Sequence, residues 1–471
     1  MRLGIGLLCL CVLCLGLSRE VPAQTNVVGR WSRVPDLPFA PVHSHLLPTG
    51  NVMLWPRPGI DLRLWDPATA TVSPLTSAGY DIFCAGHTFL ANGSLFVVGG
   101  HIDDGVGLPH ASAYDPFTNL WSSVPDMNAG RWYPTATTLA NGDVLVVSGS
   151  IDNTVGENRL PEVFQTGSGT WRDLTNAQIT LDLYPRMFLA PNGRIFNSSP
   201  SMVTSYLDTS GTGSWTVVAN RSVDVYRDYD SAVMYDDGKV LVIGGGDPPT
   251  NTAEVIDLNA ASPAWRSVAP MAVARRQLNA TLLPDGQVLV TGGTSGPGFN
   301  NIDTPVFAAE MWAPATETWS TMASQQFPRL YHSGAVLLPD GRVLTIGGND
   351  VPQTEVYEPP YLFKGARPAI NSAPGAVGYG QTFFVETPNA GSITQVTWVR
   401  LSSVTHAFNT NHRMNRLSFS QVAGGLNVVA PSNANLTPPG HYMLFILNSN
   451  GVPSVARIVD IHGLTSMALG H

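Results

Sequence analysis

Residues 281–293 read TLLPDGQVLVTGG, which is an apolar run, a turn ending in Gly286 and a second β-rich run that closes on small residues. Asn-Gly and Asp-Gly between apolar runs are strong hairpin signals, because such turns need positive backbone angles. The pattern occurs seven times, with turn glycines at Gly50, Gly93, Gly142, Gly193, Gly238, Gly286 and Gly341. These glycines are 43 to 55 residues apart, which is room for about four strands. The repeat therefore predicts a seven-bladed β-propeller.

The outer half of each unit also repeats, with a tryptophan a few residues after a turn, as in the segment from Tyr114 to Trp121. The seventh unit has a third strand at 354–357 but no tryptophan-containing fourth strand after it. Near the start, WSRVP at 31–35 has the sequence of a fourth strand without a blade before it. We therefore predict that this N-terminal strand completes the seventh blade, which removes the exposed sheet edges.

After Pro359-Pro360 the repeat stops, and alternating runs such as 381–386 and 441–447 follow. They predict a small antiparallel, immunoglobulin-like β-sandwich at 361–471. The content of 46 Gly, 37 Pro and 13% charged residues also favours short strands over helices. The predicted fold is thus all-β, with a propeller at 24–360, the sandwich after it, and almost no helix.

Residues 1–23 have the pattern of a secretory signal peptide, with Arg2, an apolar run at 3–17 and a small-residue site at 21–23. We therefore expect a secreted or extracytoplasmic product. Three of the four cysteines lie in this segment, which leaves Cys84 alone in the rest of the chain. A single thiol in an exported protein is either buried and inert, paired between molecules, or used chemically.

The charge balance excludes one class of partner. The chain has 34 Asp and Glu against 25 Lys and Arg, a net charge of -9. A nucleic-acid partner is disfavoured, since phosphate binding needs concentrated basic residues. No later apolar run reaches the length of a membrane span, so we expect no membrane-spanning segment.

Four segments carry unusual residues. Three of them precede the innermost strand of the second, third and seventh repeats, where side chains can face the central channel. The segments are FCAG at 83–86, RWYP at 131–134, RLYH at 329–332 and, in the C-terminal domain, VTHAFNT at 404–410.

With these four segments in this order, the sequence resembles the copper radical oxidases, which include galactose oxidase and glyoxal oxidase. The resemblance extends over essentially the whole chain after residue 23. It implies that Cys84 forms a thioether with Tyr133, and that Tyr133, Tyr331, His332 and His406 bind one copper ion. It also implies that a loop of the second domain carries His406 into the propeller channel.

The residue types suit this chemistry. Imidazole and phenolate ligands favour Cu(II), and a divalent cation shifts tyrosine towards the phenolate. The resemblance implies oxidation of small aldehydes, as hydrates, or of primary alcohols by dioxygen, with release of hydrogen peroxide. Tyr331 would take the substrate proton as general base, and a Tyr133 radical would take hydrogen from the adjacent carbon.

Two positions bear on the substrate. Galactose oxidase places a tryptophan over the cross-linked tyrosine, from a position that matches Ile151 here. The segments Arg131-Trp132-Tyr133 and Leu183-Tyr184-Pro185 look more like glyoxal oxidase. Small aldehydes are therefore the favoured substrates, with primary alcohols second, and Trp132 is the tryptophan to test for a role at Tyr133.

Two other functions remain open on the sequence alone. One is a non-catalytic kelch-type propeller that binds a partner through its loops, and the other is a secreted copper protein that never forms the radical. Separately, the alternation of His43 and His45 would put two imidazoles on one face of a strand, as in some metal sites. We interpret His87 as a structural residue or as a hydrogen-bond partner of a ligand.

Overall fold

The computed structural model describes residues 24–462, and the predicted signal peptide lies outside them. A single helical turn, α1, spans Thr25–Val28, and two 3-10 turns lie at Pro360–Phe363 and Ala390–Ser392. All other regular elements in this range are strands, which confirms the prediction of an all-β chain. Within it, no helix is long and apolar enough to cross a bilayer.

The strands of the repeat region are short. In chain order they are β1 Arg30–Val34, β2 His43–Leu46, β3 Val52–Trp55, β4 Leu62–Trp65, β5 Val72–Leu75, β6 Gly86–Phe89, β7 Leu95–Val98, β8 His101–Asp103, β9 Val106–Gly107, β10 Ala111–Asp115, β11 Leu120–Val124, β12 Thr135–Thr138, β13 Val144–Val147, β14 Ser150–Asp152, β15 Gly156–Glu157, β16 Glu162–Gln165, β17 Thr170–Asp173, β18 Met187–Leu189, β19 Ile195–Asn197, β20 Val203–Asp208, β21 Ser214–Asn220, β22 Ser231–Asp236, β23 Lys239–Ile243, β24 Ala253–Asp257, β25 Trp265–Val268, β26 Arg276–Leu282, β27 Val288–Thr294, β28 Ala308–Ala313, β29 Thr318–Ser324, β30 Ser333–Leu337, β31 Val343–Gly347 and β32 Thr354–Glu358.

Longer strands occur in the C-terminal part. They are β33 Ala376–Gly378, β34 Thr382–Glu386, β35 Ile393–Arg400, β36 Ser403–Thr405, β37 Phe408–Asn409, β38 Met414–Arg416, β39 Phe419–Val422, β40 Gly425–Val429, β41 Gly440–Asn448 and β42 Arg457–His462.

Seven sheets form the propeller, each with four strands of the repeat region, as predicted. The first six contain, in turn, β2 to β5, then β6, β7, β10 and β11, then β12, β13, β16 and β17, then β18 to β21, β22 to β25, and β26 to β29. The seventh contains β30, β31, β32 and the N-terminal strand β1. The inner strands of neighbouring blades contact each other, and the hairpins β8–β9 and β14–β15 form separate small sheets.

The N-terminal strand closes the ring, which confirms that prediction. β1 runs antiparallel to β32, and Trp31 lies opposite Tyr357. The Trp31 indole N–H also donates to the Ala323 carbonyl of the sixth blade at 2.7 Å. Closure therefore joins the two ends of the repeat region and pairs the strand that would otherwise be an open edge.

Glycine is needed at two kinds of position in these blades. Gly286 has φ of +87°, the positive angle that its hairpin turn requires. At the end of an inner hairpin, Gly347 has φ of +65°, and a Cβ there would lie 2.0 Å from the carbonyl oxygen of Pro41. The small residues that end each repeat thus let the chain pass close to its neighbour near the channel.

A buried ion pair recurs from blade to blade. In each case an arginine just before the inner strand meets a glutamate of the third strand. The pairs are Arg131–Glu162 at 2.7 Å, Arg227–Glu254 at 2.8 Å, Arg275–Glu310 at 2.6 Å and Arg329–Glu355 at 3.5 Å. Because all eight side chains are buried, these pairs hold the segments that lead to the channel in fixed positions.

The C-terminal strands form two facing sheets, as the predicted sandwich requires. One has the order β33-β42-β41-β35-β38 and the other β34-β40-β39. Trp398 and Tyr442 stack within their shared apolar core. The hairpin β36–β37 leaves this sandwich and pairs with β2 of the first blade, so that Thr405 lies opposite His43. It brings residues 403–409 to the inner strands of the propeller.

Candidate copper site

Six residues near the starts of inner strands have a left-handed backbone. They are Cys84, Tyr133, Tyr184, Tyr229, Gln277 and His332, with φ between 47° and 68°. Non-glycine residues rarely adopt this conformation, and it costs roughly 1–2 kcal/mol per residue. Such strain concentrates where structure and function require it. Three of the five site residues predicted from the sequence belong to this set.

Backbone hydrogen bonds join these residues between blades. The amide of Tyr133 donates to the carbonyl of Cys84 at 2.9 Å, and the amide of Tyr184 donates to the carbonyl of Tyr133 at 2.9 Å. The Gln277 amide makes the equivalent bond to Tyr229, also at 2.9 Å. Cys84, Tyr133 and Tyr184 are therefore neighbours although they lie on different blades, and so are Tyr229 and Gln277.

His406 reaches the same place from the sandwich. It lies in the turn of the β36–β37 hairpin with φ of +46°, and its Nδ1 is 2.6 Å from the hydroxyl of Thr405. The next residue is also tied to the propeller, because Ser231 donates to the Ala407 carbonyl at 2.7 Å. These contacts fix the ring so that Nε2 faces Tyr133, and the His406 side chain is buried.

The four ligands implied by the resemblance come together in this structure. The phenol oxygens of Tyr133 and Tyr331 are 2.5 Å apart, and His406 Nε2 is 2.8 Å from the Tyr133 oxygen. The His332 and His406 rings are 4.7 Å apart between centroids. The Nε2 atom of His332 is buried and has no hydrogen-bond partner in the described residues. The two imidazole rings and the two phenol groups therefore form one cluster.

Without a metal, all four groups favour the neutral form. Burial raises the pKa of Tyr133 well above its usual value, and the neighbouring Cys84 adds to the effect. Burial, followed by the nearby Tyr229, does the same to the pKa of Tyr331. For His332, burial and then the charge of Arg57 lower the pKa to about 3. Unprotonated imidazoles are ready to bind a metal, whereas the phenols need a cation to favour the phenolate.

The donor set fits copper. Nitrogen and oxygen ligands in this combination are typical of Cu(II). The unpartnered Nε2 of His332 is the observation that a bound metal explains, since buried polar atoms otherwise find a partner. Tyr133, Tyr331, His332 and His406 are therefore the residues that would hold the ion.

Cys84 lies against the tyrosine that it is predicted to join. It is the free cysteine of the described residues and is buried in a cluster with Tyr133, Tyr184 and Phe83. Burial raises the pKa of the thiol well above its usual value, and the adjacent Tyr133 side chain opposes that shift. The contact leaves two of the three earlier alternatives for Cys84, because a buried thiol cannot pair with another molecule.

One face of the Tyr133 ring is covered by another aromatic ring. Trp132 stacks on Tyr133 with ring centroids 3.7 Å apart and 7° between planes. Its indole N–H donates to His101 Nδ1 at 3.2 Å. The neighbouring Tyr184 ring is also stacked on Tyr133, at 4.5 Å. Trp132 thus occupies the place over the tyrosine that Ile151 does not fill.

A cavity of about 450 Å³ opens onto the site. Tyr133, Tyr331 and His406 form its inner end, and three carboxylates also line it, namely Glu157, Asp182 and Asp228. The one guanidinium in the lining, Arg186, is turned to Asp230 at 3.2 Å and to the Tyr184 carbonyl at 2.7 Å. The space beside the tyrosines is therefore wide enough for a small molecule and has an excess of negative charge.

Sequence reasoning missed two residues of this site. Tyr229 contacts Tyr331 edge to face at 5.5 Å, and Phe299 does so at 4.8 Å. A signal for Tyr229 was present, since it follows Arg227 by two residues as Tyr133 follows Arg131. Phe299 lies in a long connection between β27 and β28, where no repeat marks it.

The structure also brings His87 to His43 and His45. One ring nitrogen from each of the three lies within 4.8 Å of the others, and all three side chains are buried. The His43 and His406 rings are 5.9 Å apart, so this cluster, here called the histidine triad, borders the copper-ligand residues. By distance alone, the triad also fits a metal site.

Comparison with known proteins agrees with the fold. Three family models match the chain: "Galactose oxidase-like, Early set domain" at 367–461, "Glyoxal oxidase N-terminus" at 247–361 and "Kelch motif" at 90–128. A galactose oxidase of Gibberella zeae is 30% identical over 92% of this chain and 71% of its own length. The chain belongs to the copper radical oxidases.

Other members of the family match over their whole length. The protein named Aldehyde oxidase GLOX from Vitis pseudoreticulata is 28% identical, over 94% of this chain and 99% of its own. A fungal alcohol oxidase of the AA5 family, solved in complex with copper, superimposes with a TM-score of 0.84 at 26% identity. That match covers 92% of this copper radical oxidase and 99% of the solved chain.

Proposed function

We propose that this protein is a copper-dependent oxidase that converts small aldehydes, as their hydrates, or primary alcohols with dioxygen and releases hydrogen peroxide. The observation that carries the proposal is the Tyr133 oxygen, which lies 2.5 Å from the Tyr331 oxygen and 2.8 Å from His406 Nε2. Three segments distant in sequence meet there, as copper ligation requires. The similarity to a galactose oxidase and an aldehyde oxidase supports the same reaction class.

Copper held by Tyr133, Tyr331, His332 and His406 would accept one electron and stabilise a substrate oxygen next to the tyrosines. The reaction removes two electrons from substrate, so a second acceptor is needed. The Tyr133 ring is that acceptor in this proposal. It is buried and stacks on both Trp132 and Tyr184.

A thioether between Cys84 and Tyr133 would prepare the ring for this role. Its formation breaks the S–H bond of Cys84 and one ring C–H bond of Tyr133, and forms one C–S bond. Two protons and two electrons leave, and dioxygen takes them up as hydrogen peroxide. The contact between the buried Cys84 thiol and the Tyr133 side chain supports this step.

In turnover, each tyrosine has a separate task. Tyr331 is partly accessible from the cavity, whereas Tyr133 is buried. Tyr331 therefore takes the hydroxyl proton of the substrate as general base, and the oxidised Tyr133 takes a hydrogen atom from the adjacent carbon. The sum is R–CH2OH + O2 giving R–CHO + H2O2, and for an aldehyde hydrate the product is the carboxylic acid.

The cavity favours neutral substrates. Its lining has the carboxylates Glu157 and Asp182, and a third, Asp228, that is paired with Arg276 at 2.5 Å. The one lining guanidinium, Arg186, is paired with Asp230, so negative charge remains in excess. An anionic aldehyde such as glyoxylate would enter against this charge, whereas methylglyoxal or a primary alcohol would not. We place small neutral aldehydes first, because the Arg131-Trp132-Tyr133 segment looks like glyoxal oxidase, and primary alcohols second.

The predicted signal peptide at 1–23 makes export part of the proposal. In a secreted or extracytoplasmic oxidase, Cys84 then needs no second cysteine, because its sulfur is bonded to the Tyr133 ring as a thioether. The substrates are a small molecule and dioxygen, and no nucleic acid takes part.

The test is to express the full chain, supply copper in air, and measure three quantities. These are copper content, loss of two hydrogens from the peptides containing Cys84 and Tyr133, and peroxide release from methylglyoxal, glyoxylate, galactose and simple primary alcohols. One copper per chain, the cross-link and peroxide from neutral substrates are expected. Copper without the cross-link would indicate a copper protein that never forms the radical. Absence of all three would indicate a non-catalytic binding module.

A further inference from the structure

Four buried polar side chains behind Tyr133 form one continuous hydrogen-bonded chain. The histidine triad supplies three of them, and Ser403 of the β36–β37 hairpin is the fourth. His43 Nδ1 is 3.1 Å from His87 Nε2, and His87 Nδ1 is 2.6 Å from the Ser403 hydroxyl. His45 Nδ1 is 3.0 Å from the same hydroxyl. All four side chains are fully buried.

The backbone amide of Cys84 sets the direction of these bonds. It donates to His43 Nε2 at 3.3 Å, so the single proton of a neutral His43 ring lies on Nδ1 and is donated to His87. The His87 proton then lies on Nδ1 and is donated to Ser403, whose hydroxyl donates in turn to His45. Burial lowers the pKa of each of the three rings, in agreement with neutral imidazoles.

This arrangement excludes a metal ion shared by the triad. To bind an ion together with His87, His43 would have to present an unprotonated Nδ1. A neutral imidazole has one acceptor nitrogen, and in His43 that nitrogen already accepts the Cys84 amide. The hydrogen-bonded chain accounts for every ring nitrogen of the triad except His45 Nε2 at its end.

Cys84 lies at the other end of this hydrogen-bonded chain, where its amide is the first donor. It has φ of +63°, an uncommon conformation for a residue with a Cβ. Two bonds hold it there: its carbonyl accepts the Tyr133 amide at 2.9 Å, and its amide donates to His43 at 3.3 Å. With both backbone groups bound, the thiol stays against the Tyr133 side chain.

We propose that His43 is a positioning residue for the Cys84–Tyr133 thioether, because its Nε2 holds the Cys84 amide in the conformation that presents the thiol to the ring. This inference rests on the proposed function, which includes that bond. Without the acceptor, the buried amide has no partner and the strained backbone of Cys84 relaxes. The covalent step is then slower, while the copper ligands are untouched.

Two variants of the same position separate this role from simple packing. In His43→Gln, the amide oxygen can take the place of Nε2 and accept the Cys84 amide. In His43→Asn, the shorter side chain can place its amide NH2 near the position of Nδ1, so it still donates to His87 and loses the contact with Cys84. His45→Asn is the matched control, since His45 is on the same strand, is equally buried and stacks on the same Trp55.

The experiment starts from full-length protein purified without copper. Each variant is loaded with one equivalent of copper under nitrogen, copper binding and thermal unfolding are measured, and air is then admitted. Loss of two hydrogens from the Cys84 and Tyr133 peptides is followed over time by mass spectrometry. We expect cross-linking of His43→Asn to be at least about tenfold slower than wild type, and that of His43→Gln and His45→Asn to stay within about threefold.

Equal rates for His43→Asn and His43→Gln would overturn the inference and leave the proposed function intact. So would slowing of His45→Asn to the rate of His43→Asn. If wild type bound two copper ions per chain and His43→Asn only one, the inference would be overturned in favour of a metal site at the histidine triad. Failure of the wild-type chain to cross-link would overturn both the inference and the proposed function.

Discussion

The phenol oxygens of Tyr133 and Tyr331 lie 2.5 Å apart, although 198 positions separate the residues in the sequence. Tyr133 precedes the inner strand of the third blade and Tyr331 that of the seventh, so the pair spans the channel. Both tyrosines line the cavity, but Tyr133 is buried and contacts His406, whereas Tyr331 is partly exposed. In the proposed reaction, the buried tyrosine has the redox role and the partly exposed one accepts the substrate proton.

The first prediction concerns that proton. Tyr331→Phe removes the base and keeps the ring, so kcat should fall by about 100- to 10 000-fold. Most of the copper should remain bound, because Tyr133, His332 and His406 are unchanged. Peroxide release and metal content measured on the same sample check both points. Tyr114→Phe, which removes a phenol bonded to Asn119 far from the site, is the control. Unchanged turnover in Tyr331→Phe would refute the base assignment.

The second prediction concerns the ring that covers Tyr133. Trp132→Leu removes the face stacked at 3.7 Å, and Trp132→Phe keeps an aromatic face. Because an aromatic pair contributes roughly 0.5–1.5 kcal/mol, the oxidised Tyr133 should decay about tenfold faster in the leucine variant and less so in the phenylalanine variant. The decay of the tyrosyl-radical absorbance measures this.

The control for Trp132 is Trp171→Leu. Trp171 contacts Phe164 within a blade and does not touch Tyr133. The Trp171→Leu variant should have a lower free energy of unfolding and an unchanged radical lifetime. Equal lifetimes for Trp132→Leu and wild type would show that the stacked ring does not protect the radical.

The sequence predicted the architecture because its signals are local and repeated. Hairpin turns at glycines such as Gly286 recur at blade length, and the unpaired strand at 31–35 required a partner. The prediction that Cys84, Tyr133 and His406 lie together came from the family resemblance. Periodicity could not reveal it, since the left-handed backbone at Cys84 and Tyr133 has no glycine to mark it.

Other parts of the site depend on contacts between blades that no local pattern records. Trp132 was singled out from the sequence because it adjoins Tyr133, but its stacking on that ring at 3.7 Å required the structure. The alternation of His43 and His45 was visible, but the hydrogen bond from Cys84 that orients His43 depends on two blades packing together. Side chains that meet across blades are therefore the features that require a structure.

The third prediction tests the charge of the cavity. Asp182 lines it and accepts a hydrogen bond from Tyr226. Asp182→Asn keeps an acceptor for Tyr226 and removes one negative charge. The ratio of kcat/KM for glyoxylate to that for methylglyoxal should rise about fivefold, equivalent to about 1 kcal/mol of relieved repulsion. Asp66→Asn, outside this cavity, should leave the ratio unchanged. A fall of the ratio in Asp182→Asn would contradict the charge argument.

The fourth prediction concerns the buried ion pairs of the blades. Glu310 meets Arg275 at 2.6 Å, and both side chains are almost fully buried. Glu310→Ala leaves the buried guanidinium with only the Gly292 and Ala308 carbonyls and no charged partner, and should lower the free energy of unfolding by about 3–5 kcal/mol. Glu317→Ala is the matched control, since its pair with Arg266 is largely exposed and should contribute less than about 1 kcal/mol. Denaturant unfolding of both variants gives the comparison, and equal losses would contradict it.

The last prediction is a dependence of stability on pH that comes from a buried histidine outside the copper site. His412 accepts the Leu282 amide through Nδ1 at 3.3 Å, and burial lowers its pKa from 6.5 to about 3. Between these two values the unfolded chain binds a proton that the folded chain does not, so His412 makes the protein less stable as the pH falls. His412→Asn keeps an acceptor for Leu282 and cannot titrate. In copper-free protein it should reduce the slope of unfolding free energy against pH by about 1.4 kcal/mol per unit in this window. Asn411→Ser, a change at the adjacent buried residue, should shift the curve without altering its slope. An unchanged slope in His412→Asn would mean that His412 does not contribute to acid unfolding.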